Sequence, residues 1–302
     1  TTDLVAILDL GGCLRYLNNA GYRLLGLDPK TDISKVCLTE LFPERIEHQL
    51  KNEALPIAYR TGTWSGETAL RRIDGIEIPV SQVLLVHYDS AGKVEYLSTI
   101  ARDISERKRF EAELQHQATH DLLTGLPNRV LLLDRLAAEL ERARHANNFV
   151  AVLFLDIDNF KRINDSMGHA VGDTLLQQIA DRLQAALRPN DTIARQGGDE
   201  FAIIVGDLPR TENLMVVLRK IYAAFDRPMS LGLQETYITF CTGIAIYPND
   251  GTGVEELLRN AGTALYRAIM SGHNQHRFYA PDMNARSHEL LTLETDLRLA
   301  LK

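Results

Sequence analysis

The spacing of apolar positions changes character along the chain. From residue 1 to about 103 they come in short runs. Val5-Ala6-Ile7-Leu8, the turn Asp9-Leu10-Gly11-Gly12 and Leu14-Arg15-Tyr16-Leu17 form a hairpin pattern. Residues 18–27 predict a short helix that ends near Gly26. Residues 80–88 and 94–100 are strand-like and flank the turn Asp89-Ser90-Ala91-Gly92. Strands at both ends with short helices between them predict a small α+β domain.

Residues 104–119 are charged and lack Gly and Pro, with Ile104, Phe110, Leu114 and Ala118 on one helical face. This predicts a linker helix, either a solvated connector or a dimer-forming signalling helix; the stripe is too short to establish a coiled coil. From residue 120 to about 280, helical and strand patterns alternate. Residues 130–146 read as a helix, and 149–155 as an almost wholly apolar strand buried on both faces. Leu175, Leu176, Ile179, Leu183 and Leu187 make a helical stripe. Residues 192–205 read as two strands around Gly197-Gly198, 213–225 and 255–270 as helices, and 236–246 as β-rich. The expected class is α+β throughout: a first domain over 1–103, a linker over 104–119, a second domain over 120–280 and a tail over 281–302.

Composition narrows the field. A chain of 302 residues fits two domains at roughly 150 residues each. Its hydrophobic fraction of 45% and charged fraction of 24% are those of an ordinary globular protein. The net charge of −7 argues against nucleic acid or an anionic membrane surface as main partner. An anionic ligand would need local cations or a metal. The three cysteines, Cys13, Cys37 and Cys241, have no Cys-x-x-Cys spacing and read as reduced thiols, with neither a disulfide framework nor a zinc site. No apolar run approaches 18 residues, so no membrane span is expected in this stretch, and no signal peptide is visible. The chain opens on Thr1-Thr2-Asp3 and reads as a fragment of a cytoplasmic protein, with an upstream anchor left open.

Candidate chemistry gathers in the second half. Asp156 ends the buried strand in Leu155-Asp156-Ile157-Asp158, where an unpaired charge is costly unless something cationic meets it. Asp199-Glu200 follows the Gly-Gly turn. Placed beside the strand, these carboxylates would suit Mg²⁺ (or Mn²⁺) shared with substrate phosphates. Gly197 and Gly198 permit positive φ and close approach of a ligand to the backbone. For the Gly-Gly pair alone, a hairpin turn with solvated acids is the simpler reading; together with Asp156 it is not.

Two resemblances follow from these residues. Leu8-Asp9 with Gly12, Tyr16-Leu17-Asn18, Gly62-Thr63-Trp64-Ser65-Gly66-Glu67, Arg72-Ile73-Asp74-Gly75 and the closing Asp103-Ile104-Ser105-Glu106-Arg107-Lys108 resemble a PAS domain. His120-Asp121-Leu122-Leu123-Thr124-Gly125-Leu126-Pro127-Asn128-Arg129, the block from Asp156 to Asp165 with Gly168-His169 and Gly172-Asp173, and Arg195-Gln196-Gly197-Gly198-Asp199-Glu200-Phe201 resemble a GGDEF domain. That resemblance implies a fold of the nucleotidyl cyclase and polymerase-palm type. It also implies condensation of two GTP, one on each of two facing domains, to cyclic-di-GMP. It implies Asp156, the Ile157 carbonyl and Asp199 as metal ligands, and Asp199 or Glu200 as the group that orients or deprotonates the 3′-hydroxyl. Asn164 and Asp173 would read guanine, with Phe160, Lys161, Gly197 and Gly198 beside the nucleotide. An amide and a carboxylate suit the guanine edge.

The pattern breaks at Ala264-Leu265-Tyr266-Arg267-Ala268-Ile269-Met270-Ser271-Gly272-His273-Asn274. Ile269 and His273 stand where the family carries a lysine and an arginine for the triphosphate. Each lost charge-assisted contact is worth on the order of 1.5–3 kcal/mol, so a weakened or conditional cyclase is expected, with Arg267 or Arg277 as compensating cations. Arg188-Pro189-Asn190-Asp191 resembles the family's product-inhibition site, with Arg219 as third contact for cyclic-di-GMP. The run from Leu290 to Leu301 resembles the lead-in to an EAL phosphodiesterase domain, so the chain reads as part of a PAS-GGDEF-EAL hybrid. The first domain shows no cofactor code: His48 reads as a surface histidine and Trp64 as sheet packing. Two functions remain: a PAS-regulated, dimeric diguanylate cyclase, or a GTP- or cyclic-di-GMP-binding module that controls a downstream phosphodiesterase.

Overall fold

The computed structural model describes residues 1–37, 40–231 and 234–283. The expected lead-in at 290–301 lies outside the described residues. The chain divides into two compact units, Thr1–Leu114 and the part from Gln115 onward.

The first unit opens with β1 (Leu4–Leu8) and β2 (Leu14–Leu17). Then come α1 (Asn19–Leu25), a 3-10 turn (Ile33–Lys35), α2 (Glu44–Gln49), a π-helical turn (Leu50–Ala54) and α3 (Leu55–Thr61). β3 (Thr63–Arg71), β4 (Glu77–Tyr88) and β5 (Val94–Asp103) complete an antiparallel sheet in the order β2-β1-β5-β4-β3. Asn18 caps α1, its side chain accepting from Gly21 N–H, and Gly26 ends it in the left-handed conformation. The helices bury Leu25, Ile46, Leu50 and Ala58 with Leu8, Val80, Leu84 and Leu97 of the sheet in one core. Trp64 on β3 is buried and lies so close to Gly66 that a Cβ there would be 2.6 Å from its ring. His48 is exposed and contacts Asn52. The strand β3 goes beyond the sequence reading, because its burial does not alternate.

One expectation is corrected here. Cys13 and Cys37 are joined in a disulfide, and only Cys241 remains a thiol, buried in the second unit. An antiparallel bridge sets the two cysteines opposite each other, with Leu14 N–H donating to Val36 O beside them. No short motif announces a pair 24 residues apart; the juxtaposition comes from tertiary structure.

β5 runs into α4 (Ser105–Thr119), which has no buried residue; Phe110 and Leu114 are 59% and 65% exposed. Of the apolar stripe read from sequence, Ile104 precedes α4 and is buried, whereas Phe110 and Leu114 are exposed.

The second unit contains α5 (Arg129–Ala146), β6 (Phe149–Ile157), α6 (Phe160–Met167), α7 (His169–Ala186), β7 (Thr192–Gly197) and β8 (Glu200–Leu208). α8 (Leu214–Ala224), the small hairpin β9 (Met229–Leu231) and β10 (Gln234–Thr236), β11 (Phe240–Tyr247), α9 (Val254–Met270) and β12 (His276–Phe278) follow. The main sheet has the order β12-β11-β6-β8-β7, antiparallel except for β11 with β12. β6 is central and buried on both faces. Leu153, Leu155 and Ile157 pack towards α7 and α8, while Val150 and Val152 pack towards α5 and α9. No helix among the described residues is long and apolar enough to cross a membrane.

Candidate functional site

The site forms where the apolar run of β6 ends. Asp156 pairs in register with Glu200 on β8 and with Cys241 on β11. The β7–β8 turn brings Asp199 to the same end of the sheet. Gly197 and Gly198 have φ of 132° and 55°, backbone that side chains resist, so glycine is required to make this turn.

The electrostatics show convergence. Burial, followed by the negative charges of Asp199, Glu200 and Asp158, pushes the Asp156 carboxyl up to about 6. No group of three or more acidic, His or Cys side chains closes on one point among the described residues. The set on offer is Asp156, Asp199 and the Ile157 carbonyl, all hard oxygen donors. That fits a Mg²⁺-type ion, which is usually held by one or two carboxylates with substrate supplying the rest.

Asp158, two residues on, is different. Its carboxylate is 6% exposed and accepts from Thr239 Oγ1 at 2.6 Å, Asn274 N–H at 2.9 Å, His273 Nδ1 at 3.0 Å and Cys241 Sγ at 3.5 Å. Burial works against its charge, yet these hydrogen bonds hold it below the usual carboxylate range. Asp158 thus ties β6 to β11 and to the loop after α9. Sequence reasoning gave it no role.

Arg195 was missed as well. Its Nη1 bonds both Asp121 oxygens at 3.0 Å, while Nε and Nη2 donate to Gly198 O at 3.0 and 2.7 Å. Asp121 also accepts from Thr124 N–H and Oγ1. Burial opposes the Asp121 charge, but Thr124 and Arg195 outweigh it and hold the carboxyl below its ordinary value. The His120–Arg129 block is therefore a turn that clamps the Gly-Gly hairpin. Asn128 caps α5 through Val130 and Leu131 N–H and donates to Ala118 O at the end of α4.

The proposed guanine end lies between α6 and α7. Asn164 Oδ1 is buried without a hydrogen-bond partner among the described residues. It sits against Gly172, where a Cβ would come within 1.8 Å of it. A buried acceptor without a donor is costly, so a ligand donor there is physically favoured. Asp173 is exposed on the next residue, and Phe160 is buried beneath the pair. Lys161 is exposed in the first turn of α6, whose cap residue Asn159 gives no side-chain bond, leaving first-turn N–H groups open to an anion.

The other end carries fewer free cations. Ile269 is 42% exposed beside Tyr266 and Met270. His273 is engaged by Asp158. Arg267 donates to Met283 O, whereas Arg277 is exposed and donates to Ser271 Oγ.

Arg188 and Asp191 line two adjoining cavities of about 400 and 310 Å³. Arg188 N–H donates to Asp191 Oδ2. Burial raises the Asp191 carboxyl, against the pull of Arg188 and Lys220. Arg219 lines neither cavity; its Nε donates to Met215 O on its own helix. The cation of α8 whose charge reaches Asp191 is Lys220.

Comparisons with known proteins agree with this architecture. Residues 118–275 match the family model "Diguanylate cyclase, GGDEF domain", and residues 1–109 match "PAS fold". The chain belongs to the GGDEF diguanylate cyclase family and carries an N-terminal PAS domain. It is 41% identical over 194 residues to the bifunctional diguanylate cyclase/cyclic di-GMP phosphodiesterase MucR of Pseudomonas aeruginosa, covering 64% of this chain and 28% of that protein. It is 31% identical over 299 residues to the cyclic di-GMP phosphodiesterase PdeR of Escherichia coli, covering 99% of this chain and 45% of that one. The chain thus spans less than half the length of these relatives. Among solved structures, the isolated GGDEF domain of TpbB (YfiN) from Pseudomonas aeruginosa superposes with a TM-score of 0.55 at 36% identity, covering 56% of this chain and 99% of that one.

Proposed function

We propose that this chain is a PAS-regulated diguanylate cyclase that condenses two GTP to cyclic-di-GMP and two pyrophosphates on a homodimer. The observation that carries this is Asp156 in register with Glu200 and at the same sheet end as Asp199, where burial and then the charges of these neighbours push its carboxyl up to about 6. Mg²⁺ (or Mn²⁺) bound by Asp156, Asp199 and the Ile157 carbonyl would polarise the α-phosphate and neutralise the leaving pyrophosphate. Asn164 and Asp173 hold guanine. Lys161 and the open first turn of α6 receive phosphate oxygens, with Phe160, Gly197 and Gly198 shaping the approach. Asp199 or Glu200 orients the 3′-hydroxyl and takes its proton as it attacks the partner's nucleotide. Turnover is weak, because Ile269 is apolar and His273 is engaged by Asp158. Arg188 and Asp191 bind cyclic-di-GMP as an inhibitor, with Lys220 the α8 cation whose charge reaches Asp191.

A second reading has its own support. The exposed apolar face of Tyr266, Ile269 and Met270, and the likeness to PdeR over nearly the whole chain, favour a GTP- or cyclic-di-GMP-binding module controlling a downstream EAL domain. Incubation with GTP and Mg²⁺, followed by separation of nucleotides, tests the pair. Cyclic-di-GMP formation abolished by Asp199→Ala supports the cyclase; GTP bound but unconsumed supports the module.

A further inference from the structure

The Cys13–Cys37 bridge has no part in the nucleotide chemistry. Three observations bear on its use. The first unit has a continuous apolar core from Leu4 to Ala101, so it is unlike the small scaffolds that depend on disulfides to fold. Both cysteines are only half-buried, and exposed Leu10, Gly11 and Lys35 lie near them in sequence, so the bridge sits at the solvent side of the unit. The bridge closes a 24-residue loop that holds β2, α1 and the 3-10 turn. β2 pairs with β1, β1 pairs with β5, and β5 continues into α4.

We propose that Cys13–Cys37 is a thiol–disulfide exchange site through which a low-molecular-weight thiol couple, such as glutathione, sets the state of the sensor unit. The inference rests on the proposed function in one respect: a chain that acts on GTP works where such thiols keep most cysteines reduced, and a disulfide there is typically a sensing one. In oxidation, one cysteine thiolate attacks a sulfur of glutathione disulfide and expels one glutathione thiolate. The second cysteine thiolate then attacks the protein sulfur of the mixed disulfide and expels the other. Reduction is the same sequence reversed, so two electrons and two protons move per bridge. The reduced unit keeps its core but loses the covalent closure of the loop, and the strand next to β1 is the first to loosen.

The test uses the 302-residue chain in glutathione buffers of graded reduced-to-oxidised ratio, quenched in acid, alkylated and weighed. The expected result is a single two-thiol transition across the series. It should disappear in Cys13→Ser and in Cys37→Ser and persist in Cys241→Ser. Amide exchange over residues 14–36 should speed up on the order of tenfold in the reduced form while β3 and β4 stay protected. A pair that remains bridged at every ratio, or that never forms, overturns the proposal; so does equal protection of 14–36 in both forms. None of these readouts involves nucleotide, so a failed GTP assay alongside them would count against the proposed function alone.

Discussion

Asp156→Asn should stabilise the ligand-free protein at alkaline pH and do nothing for it in acid. In the fold the Asp156 carboxyl titrates at about 6, against 3.8 in the ordinary case. Well below pH 3.8 it is protonated whether the chain is folded or not, and it costs nothing. As pH rises from about 4 to 6 the unfolded chain gives up this proton and the folded one keeps it, so stability falls; above 6 the full penalty is in place. The gap corresponds to at most about 3 kcal/mol, and screening at a half-open site reduces this to about 1–2 kcal/mol. For a unit of this size that is a rise in Tm of about 3–6 °C for the variant at pH 8 in a chelator. The assay is thermal unfolding of wild type and variant at about pH 3 and pH 8, with and without Mg²⁺. Mg²⁺ at pH 8 should raise the wild-type Tm and leave the variant nearly unmoved, because the cation needs the ionised carboxylate. Equal melting of the two proteins at pH 8, or the same gain at both pH values, would refute the reasoning.

Four further outcomes follow from the same geometry. Gly172→Ala puts a methyl on Asn164 Oδ1 and should weaken GTP binding about tenfold in calorimetry, with Asn164→Ala giving the same loss and the double variant no more. Arg195→Lys cannot hold Asp121 and Gly198 together, and should lower both turnover and Tm, the latter by about 4–8 °C for roughly 2 kcal/mol; a lysine variant that keeps both would show the clamp to be dispensable. Ile269→Lys combined with His273→Arg should raise kcat/KM for GTP about a hundredfold, and no gain would mean that these positions do not face the triphosphate. Arg188→Ala should weaken cyclic-di-GMP binding in a titration, and undiminished affinity would remove the inhibitory assignment.

Most of the second unit was legible because its signals are local. The unbroken apolar run before Asp156 reads as a central strand, and β6 is one. The Gly-Gly turn announces positive φ, and both glycines have it. What escaped depends on contacts distant in sequence. Asp158 looks like the twin of Asp156, but its partners Thr239, Cys241 and His273 lie 81, 83 and 115 residues away. A carboxylate with donors on every side is a structural tie; one facing other carboxylates is a site for a cation. No spacing rule separates them. The disulfide was illegible for the same reason, since Cys13 and Cys37 are 24 residues apart.

The bonds around Asp121 also show where an input could reach the chemistry. The last turn of α4 gives Ala118 O to Asn128 Nδ2 and Thr119 O to Asn128 N–H. Asp121, two residues beyond α4, holds Arg195, and Arg195 holds the Gly198 carbonyl one residue before Asp199. The path is short and charge-assisted, and Arg195 is only 11% exposed, so it is stiff. A shift of the α4 end that moves Asp121 must either break these bonds or carry Gly198 with it. Breaking them leaves a nearly buried guanidinium without its carboxylate, which is the costlier course. Arg195 thus fixes the Gly-Gly turn to the Asp121 turn. α4 itself has no buried side chain, with Phe110 and Leu114 exposed, and is joined to β3 through Arg107 and Lys108 on Glu67. The exposed helix and the charge-assisted clamp are adjacent in sequence.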